Sequence, residues 1–258
     1  MIDEIKLKKE SYIIAEIAQS HDGSLGNCFS YAKSAKEVGC DAIKFQIHIA
    51  NEESSREEKF RLNIFPQDKS RYEYWERTSF KFEEWLILRN YCSEIGIDFI
   101  VSPFSSKALE WSKKLNVDAI KIGSGEVSNK ILLSEINNIF KGSLPVIISS
   151  GMSTYNELDD AINLLKRVNK TIIPMQCTSK YPTRPEEWGL ENISIMKKRY
   201  GGYIGFSDHS GDIYAALGAI TKGADLLEIH MVFSKKCFGP DTSSSVTIEQ
   251  MSKLVEGA

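Results

Sequence analysis

Eight short apolar runs recur along the 258-residue chain, and polar residues stand at the C-terminal limit of nearly all of them. They cover residues 12–18, 42–47, 98–102, 119–122, 145–149, 172–177, 203–206 and 226–232. Near-continuous apolar and β-branched character, rather than strict alternation, is the pattern of parallel strands covered by helices. Amphipathic stretches at 27–38, 82–95, 107–115, 129–140, 155–168 and 213–222 lie between them. Gly39, Gly96 and Gly223 fall where helices should stop, because glycine relieves left-handed strain at a C-cap. Thr247 and Gln250 have capping-box spacing and start a last helix. Eight strand–helix units predict an α/β fold, a closed (β/α)8 TIM barrel forming a single domain over residues 1–258. An open doubly wound sheet is the weaker alternative. No linker marks a second domain.

One connection is out of proportion. Residues 50–81, between the second strand and its helix, exceed by far the ~2–6 residues usual for such a loop. They carry Tyr72, Tyr74 and Trp75 among several charges. At the catalytic face an insertion of this kind is expected to form a lid or a substrate wall. A tolerated surface excursion is the plainer alternative.

Hydrophobic residues make up 42% of the chain and charged residues 26%, which suits a soluble protein with a full core. A formal net charge of -3 gives no reason to expect nucleic acid as a partner, although a local basic pocket for a small anion stays open. Residues 1–10 lack the apolar segment of a signal peptide, and no apolar stretch is long enough to span a bilayer. The five cysteines are scattered, odd in number and without Cys-x-x-Cys spacing. That argues against a disulfide framework and a zinc ribbon, and for reduced thiols in the cytoplasm.

Residues at the C-terminal ends of barrel strands converge on one pocket. Here they are Glu16; Lys44 and Gln46; Ser102 and Ser105; Lys121, Ser124 and Glu126; Ser149 and Ser150; Thr178, Ser179 and Tyr181; Ser207, Asp208 and His209; Glu228 and His230. Lys44 and Lys121 lie in otherwise apolar strands, and a buried ammonium is costly unless paired, so each implies an anionic partner. With the serines and the turn Gly123-Ser-Gly125 they suggest a phosphate and carboxylate pocket. A structural salt bridge and Schiff-base chemistry are the rival roles. His209 and His230, on consecutive strands with carboxylates nearby, suit a divalent metal such as manganese. A general base or a hydrogen-bonded core histidine is the alternative for either. His21 and His48 are weaker candidates: His21 fits a turn-stabilising role, and His48 borders the long loop.

These motifs resemble the sialic acid synthase family, the N-acetylneuraminate synthases and their legionaminate and pseudaminate relatives. The resemblance rests on Ala15-Glu-Ile-Ala-Gln-Ser-His-Asp-Gly23, Ala42-Ile-Lys-Phe-Gln46, Ser102-Pro-Phe-Ser105 and Lys121-Ile-Gly-Ser-Gly-Glu126. It continues through Ser149-Ser-Gly-Met152, Cys177-Thr-Ser-Lys-Tyr-Pro-Thr183, Gly205-Phe-Ser-Asp-His-Ser210, Glu228-Ile-His230 and Gly239-Pro-Asp241. It implies condensation of phosphoenolpyruvate with an open-chain N-acyl amino sugar, giving a nine-carbon 2-keto acid and phosphate. Lys44, Lys121, Ser102, Ser124, Ser149, Ser179 and Ser207 would then hold phosphoenolpyruvate. His209 and His230 would bind the metal, Mn²⁺ first, with Mg²⁺ or Co²⁺ as alternatives. Glu16 and Glu126 would handle water and protons, while Gln46, Tyr181 and Asp241 would contact the sugar. A homodimer is expected by the same analogy.

The departures are specific. Ala18 and Ser20 stand where many members have glycine and asparagine, Ser179 where asparagine is common, and Ser102 in place of threonine. Typical members also continue into a C-terminal antifreeze-like domain that this sequence, ending at Ala258, does not contain. Two other readings of the same residues are a catalytically degenerate sugar-binding barrel and a barrel aldolase with a Schiff-base lysine.

Overall fold

Four times the chain sets a left-handed residue, one spacer and an aspartate at the foot of a strand: Gly39-Cys-Asp41, Gly96-Ile-Asp98, Asn116-Val-Asp118 and Gly223-Ala-Asp225. The first residue of each has φ of 90°, 71°, 51° and 89°, a region that glycine enters freely and asparagine tolerates. The aspartates then fasten neighbouring strands. Asp41, Asp118 and Asp225 accept the backbone N–H of Ile13, Phe99 and Ile204 at 2.8–2.9 Å, and Asp98 accepts the Tyr12 hydroxyl at 2.6 Å. Helix end, turn and strand start are thus written in three residues.

The computed structural model describes residues 11–60, 67–169 and 171–258. The segment read above for a leader, residues 1–10, and residues 61–66 of the long loop lie outside the described residues. The elements run β1 (Tyr12–Ala18), α1 (Leu25–Glu37), β2 (Ala42–Ile47), α2 (Ala50–Glu53), α3 (Arg71–Thr78), α4 (Phe82–Ile95), β3 (Asp98–Pro103), α5 (Ser106–Lys114) and β4 (Ala119–Ile122). There follow α6 (Lys130–Phe140), β5 (Val146–Ser149), α7 (Tyr155–Lys166), β6 (Ile172–Cys177), α8 (Glu191–Tyr200), β7 (Gly205–Asp208), α9 (Tyr214–Thr221), β8 (Leu226–Val232), β9 (Val246–Thr247) and α10 (Ile248–Gly257). Strands β1 to β8 pair in sequence order, all parallel, and β1 also pairs with β8, which closes a (β/α)8 barrel. The two-residue β9 adds to the far end of β8.

The period of two along each strand divides the apolar residues into two cores. Tyr12, Ile14, Ala42, Ile100, Ala119, Ile147, Ile173, Met175 and Leu226 face inward and plug the lower barrel. Their alternates, such as Ile13, Ala15, Ile43, Phe45, Ile120 and Leu227, face outward and pack under the helices. A chain buried on both faces has no reason to alternate, which explains the continuous apolar runs.

Three differences from the sequence expectation go beyond small shifts at element ends. Strand β7 covers 205–208, not 203–206, because the Ile204 N–H is taken by the Asp225 carboxylate and the ladder pairs Ser207 with Glu228 and Asp208 with Ile229. Helix α8 was not among the expected helices; it buries only Ile193 and Met196, too thin a stripe to show periodicity. The long connection holds two helices, α2 and α3. Tyr72, Tyr74 and Trp75 turn inward against Ala50 and Phe60 as a small core of their own, so the aromatic trio is not displayed to solvent as a lid. Among the described residues, no helix is long and apolar enough to cross a membrane.

Candidate active site

Following each inward row towards the C-terminal end of its strand changes its chemistry. Above the apolar plug the next inward positions are Glu16 on β1, Lys44 and Gln46 on β2, Ser102 on β3, Lys121 on β4 and Ser149 on β5. Cys177 on β6, Ser207 on β7, and Glu228 and His230 on β8 complete the ring. With Phe104, Gly123, Ser124, Tyr181 and His209 these residues line one cavity of about 70 Å³. Registers place Glu16 beside both Lys44 and His230, and Ser207 beside Glu228. A wider groove of about 530 Å³ lies on the flank between α6 and α7, lined by Leu133, Asp160, Leu164 and Arg167 among others. It contains no converging set of buried polar groups, so the chemistry belongs to the smaller cavity.

Both lysines find carboxylates inside the barrel. Lys121 Nζ donates to the two oxygens of Glu228 at 2.7 and 2.8 Å. Lys44 Nζ lies 2.8 Å from Glu16 Oε2 and 3.7 Å from Glu228, and donates to Ser102 Oγ at 3.1 Å. Ser207 Oγ donates to Glu228 at 3.1 Å. Burial works against the Glu228 carboxylate, but Lys121 and Lys44 outweigh it and hold its pKa at about 2. Burial wins at Glu16, whose pKa is raised despite Lys44. The four charges balance, so an arriving anion must share the lysines with resident carboxylates. Ser149 Oγ, buried and without a partner, is a hydroxyl ready for it.

The two histidines stand together at the cavity mouth, ring centroids 5.3 Å apart. His209 Nδ1 lies 2.8 Å from the Thr178 carbonyl oxygen, which only accepts, so Nδ1 carries the proton. Its Nε2 then bears the lone pair and takes the Tyr181 hydroxyl at 2.9 Å. Burial, followed by the neighbouring His209 and the Lys44 charge, depresses His230 far below the ordinary imidazole range and keeps it neutral. His230 Nδ1 is buried without a hydrogen-bond partner, 3.9 Å from Asp241.

Not every expected residue reaches the cavity. Glu126 sits in the short turn of helix at Ser124–Glu126, where its Oε2 accepts from Asn129 at 2.8 Å, and is not part of the lining. Ser179 and Asp241 stand just outside it as well. Gln46 does line it, with its amide spent on Glu16 and His48. His21 accepts the Gly23 N–H at 3.1 Å and so serves its turn. Ala18 adopts φ 47°, the left-handed conformation that a glycine enters without cost, beside a register shift between Glu16 and Ala18.

Sequence reading placed Glu228 on the last strand without giving it a task. Its two-residue spacing from His230 was the available signal, because i and i+2 share a face. Cys177 was also missed. Burial raises its thiol pKa, but His209 at 3.9 Å and Ser124 at 3.5 Å lower it to about 7. Gly151 is the backbone counterpart of this crowding: a Cβ there would lie 2.4 Å from Ser179 Oγ, 2.8 Å from Ser124 Oγ and 3.0 Å from Cys177 Sγ. Gly151→Ala is therefore expected to displace both serines and weaken binding of the phosphoenolpyruvate that the resemblance implies by roughly tenfold, the worth of one hydrogen bond to a charged group, with little change in melting temperature. Calorimetric titration of the variant checks this.

The chain resembles known proteins along most of its length. The model of the NeuB family matches residues 31–258. The chain belongs to the NeuB family. It is 32% identical to N-acetylneuraminate-9-phosphate synthase of Mus musculus, over 96% of this chain and 69% of that protein. It is 31% identical to pseudaminic acid synthase of Helicobacter pylori, over 95% of this chain and 72% of that one. The crystal structure of N-acetylneuraminic acid (sialic acid) synthetase from Leptospira borgpetersenii in complex with citrate superposes with a TM-score of 0.84 at 27% identity, covering 96% of this chain and 82% of that chain.

Proposed function

We propose that this NeuB-family barrel condenses phosphoenolpyruvate with an open-chain N-acyl amino sugar, of the N-acetylmannosamine or 2,4-diacetamido-trideoxyhexose type, to a nine-carbon 2-keto acid and phosphate. One observation carries the reading. Two ammonium groups, four serine hydroxyls, two carboxylates and two imidazoles share a single cavity at the C-terminal mouth of the barrel.

Lys44, Lys121, Ser102, Ser124, Ser149 and Ser207 hold the phosphate and carboxylate of phosphoenolpyruvate, with Ser179 at the edge. The enol carbon bonds to the aldehyde carbon, and the aldehyde oxygen takes a proton to become a hydroxyl. Water adds at the former enol position and gives its proton to a carboxylate. The bridging carbon–oxygen bond then breaks, phosphate departs with its electron pair, and the added hydroxyl loses its proton to leave the ketone. Glu16, ionised beside Lys44, is placed to receive the water's proton, and its burial-raised pKa makes it a stronger base than an ordinary carboxylate. The lysines stabilise charge as it gathers on the departing phosphate. Tyr181 and Gln46 in the lining, with Asp241 just outside it, are left for the sugar, while Glu126, held by Asn129 outside the lining, is assigned no step.

Two nitrogens would hold a divalent metal: His209 Nε2, whose lone pair is fixed by the Nδ1 bond to Thr178 and which the Tyr181 hydroxyl would yield, and His230 Nδ1, buried without a partner. Among the described residues no group of three or more His, Cys, Asp or Glu is arranged to hold a metal ion. Two histidines would leave the remaining positions to water and substrate. The bound metal, Mn²⁺ before Mg²⁺ or Co²⁺, would supply Lewis-acid polarisation of the aldehyde.

The test is phosphate release from phosphoenolpyruvate with each acceptor in the presence of Mn²⁺. Release that requires both substrates is expected. Binding of phosphoenolpyruvate and metal with no turnover on any acceptor would favour a sugar-binding barrel. Borohydride trapping of a substrate on Lys44 or Lys121 would favour a Schiff-base aldolase.

A further inference from the structure

Beside the cavity, a line of hydrogen bonds leads from Glu16 out to the helical insert. Gln46 Nε2 donates to Glu16 Oε1 at 2.8 Å, so the Gln46 carbonyl oxygen is turned the other way, to His48 Nε2 at 3.1 Å. An amide oxygen only accepts, which puts the ring proton of His48 on Nε2. His48 Nδ1 faces Glu53 Oε1 at 2.7 Å. With Nδ1 bare, the proton in that short contact belongs to the Glu53 carboxyl.

The alternative, an imidazolium against a carboxylate, fits the surroundings poorly. The His48 ring lies flat between Trp75 at 3.7 Å and Phe104 at 4.4 Å, out of water on both faces. Glu53 Oε2 is buried and has no partner, which a carbonyl oxygen tolerates better than an anionic one. The charged and titratable groups around the pair are Arg71, Glu58, Glu126 and His21. Burial, then Arg71, pushes His48 down to about 3. Burial pushes Glu53 up to about 8 against Arg71, with Glu126 and Glu58 adding to the rise.

We propose that Glu53 is an un-ionised acid whose hydroxyl donates a hydrogen bond to His48 Nδ1, and that the two act as positioning residues, holding the Gln46 amide and through it Glu16 in one orientation. Every donor in the line points inward: Glu53 to His48, His48 to Gln46, Gln46 to Glu16. The far end of the line is Trp75, Tyr72 and Tyr74, so the insert's small core has a purpose, to wall His48 away from water. Only the catalytic consequence rests on the proposed function; the protonation pattern does not.

The experiment has a spectroscopic arm and a kinetic arm, both on the full chain. Nitrogen-15 NMR of ring-labelled histidines, with His48 assigned through His48→Asn, reads the tautomer directly. A bare Nδ1 and a protonated Nε2 at pH 7 are expected; the opposite tautomer, or an imidazolium, overturns the proposal. Glu53→Gln keeps a donor to Nδ1 and is expected to keep that tautomer, whereas Glu53→Ala frees the ring. In turnover, Glu53→Ala is expected to lose about a hundredfold in kcat with KM for phosphoenolpyruvate little changed, and Glu53→Gln to recover to within about tenfold of the parent. A Glu53→Gln variant that keeps the tautomer but is as slow as Glu53→Ala overturns the positioning role.

Stability gives a third readout. Between the ordinary imidazole value of 6.5 and the Glu53 value of about 8, the folded chain keeps a proton that the unfolded chain has released. The melting midpoint therefore falls as pH rises through that window, and Glu53→Gln removes this part of the slope. Equal slopes in parent and variant overturn the un-ionised state. A parent chain inactive on every acceptor would sink the proposed function and leave the NMR and stability arms standing.

Discussion

Lys121→Met is expected to destabilise the barrel by about 3–5 kcal/mol and to abolish phosphoenolpyruvate-dependent phosphate release. The loss follows from what it leaves behind. Glu228 is 3% exposed, and without Lys121 its remaining company is Lys44 at 3.7 Å and the Ser207 hydroxyl at 3.1 Å. A buried carboxylate stripped of its main counter-charge must either pay for desolvation or take up a proton. The double variant Lys121→Met with Glu228→Leu removes both charges together and is expected to regain most of the stability while staying inactive. Urea unfolding of the two variants separates structural from catalytic loss. A single variant within about 1 kcal/mol of the parent would mean that the pair is solvated, as exposed ion pairs are.

His209→Ala is expected to cost about a thousandfold in metal-stimulated turnover, the rate equivalent of the several kcal/mol that Lewis-acid polarisation supplies. Phosphoenolpyruvate binding should hold within a few-fold, because both lysines and the cavity serines keep their partners. The same variant should bind Mn²⁺ more weakly, which the electron paramagnetic resonance signal of the free ion reports without any turnover. Full activity with unchanged Mn²⁺ affinity would remove His209 from the metal assignment.

Much of this architecture is legible in the sequence because a barrel obeys two simple periods. The runs at 12–18, 42–47, 119–122, 172–177 and 226–232 match their strands to the residue, since apolar segments between glycine or aspartate turns have sharp limits. Strand β7 was misplaced for the opposite reason: its inward face is Ser207, and polar residues at a barrel mouth look like the end of a strand. The site divides in the same way. Residues on inward rows, Lys44, Lys121, Ser102, Ser149, Ser207 and His230, converge as strand geometry requires. Residues beyond the strands, Glu126, Ser179 and Asp241, take positions set by turns, which no periodicity encodes. The Glu53–His48–Gln46–Glu16 line was hidden altogether, because it depends on how a thirty-residue insertion folds back onto one strand end.

The central claim is that one cavity joins the two substrates and releases phosphate by cleaving carbon from oxygen. Phosphoenolpyruvate labelled with oxygen-18 at the bridging position, mixed with Mn²⁺ and the acceptor that supports turnover, tests it in one mass spectrum. The label is expected in the phosphate, alongside an unlabelled acid whose mass equals acceptor plus pyruvate. Label retained in the acid, or phosphate released without a condensed product, would contradict the account.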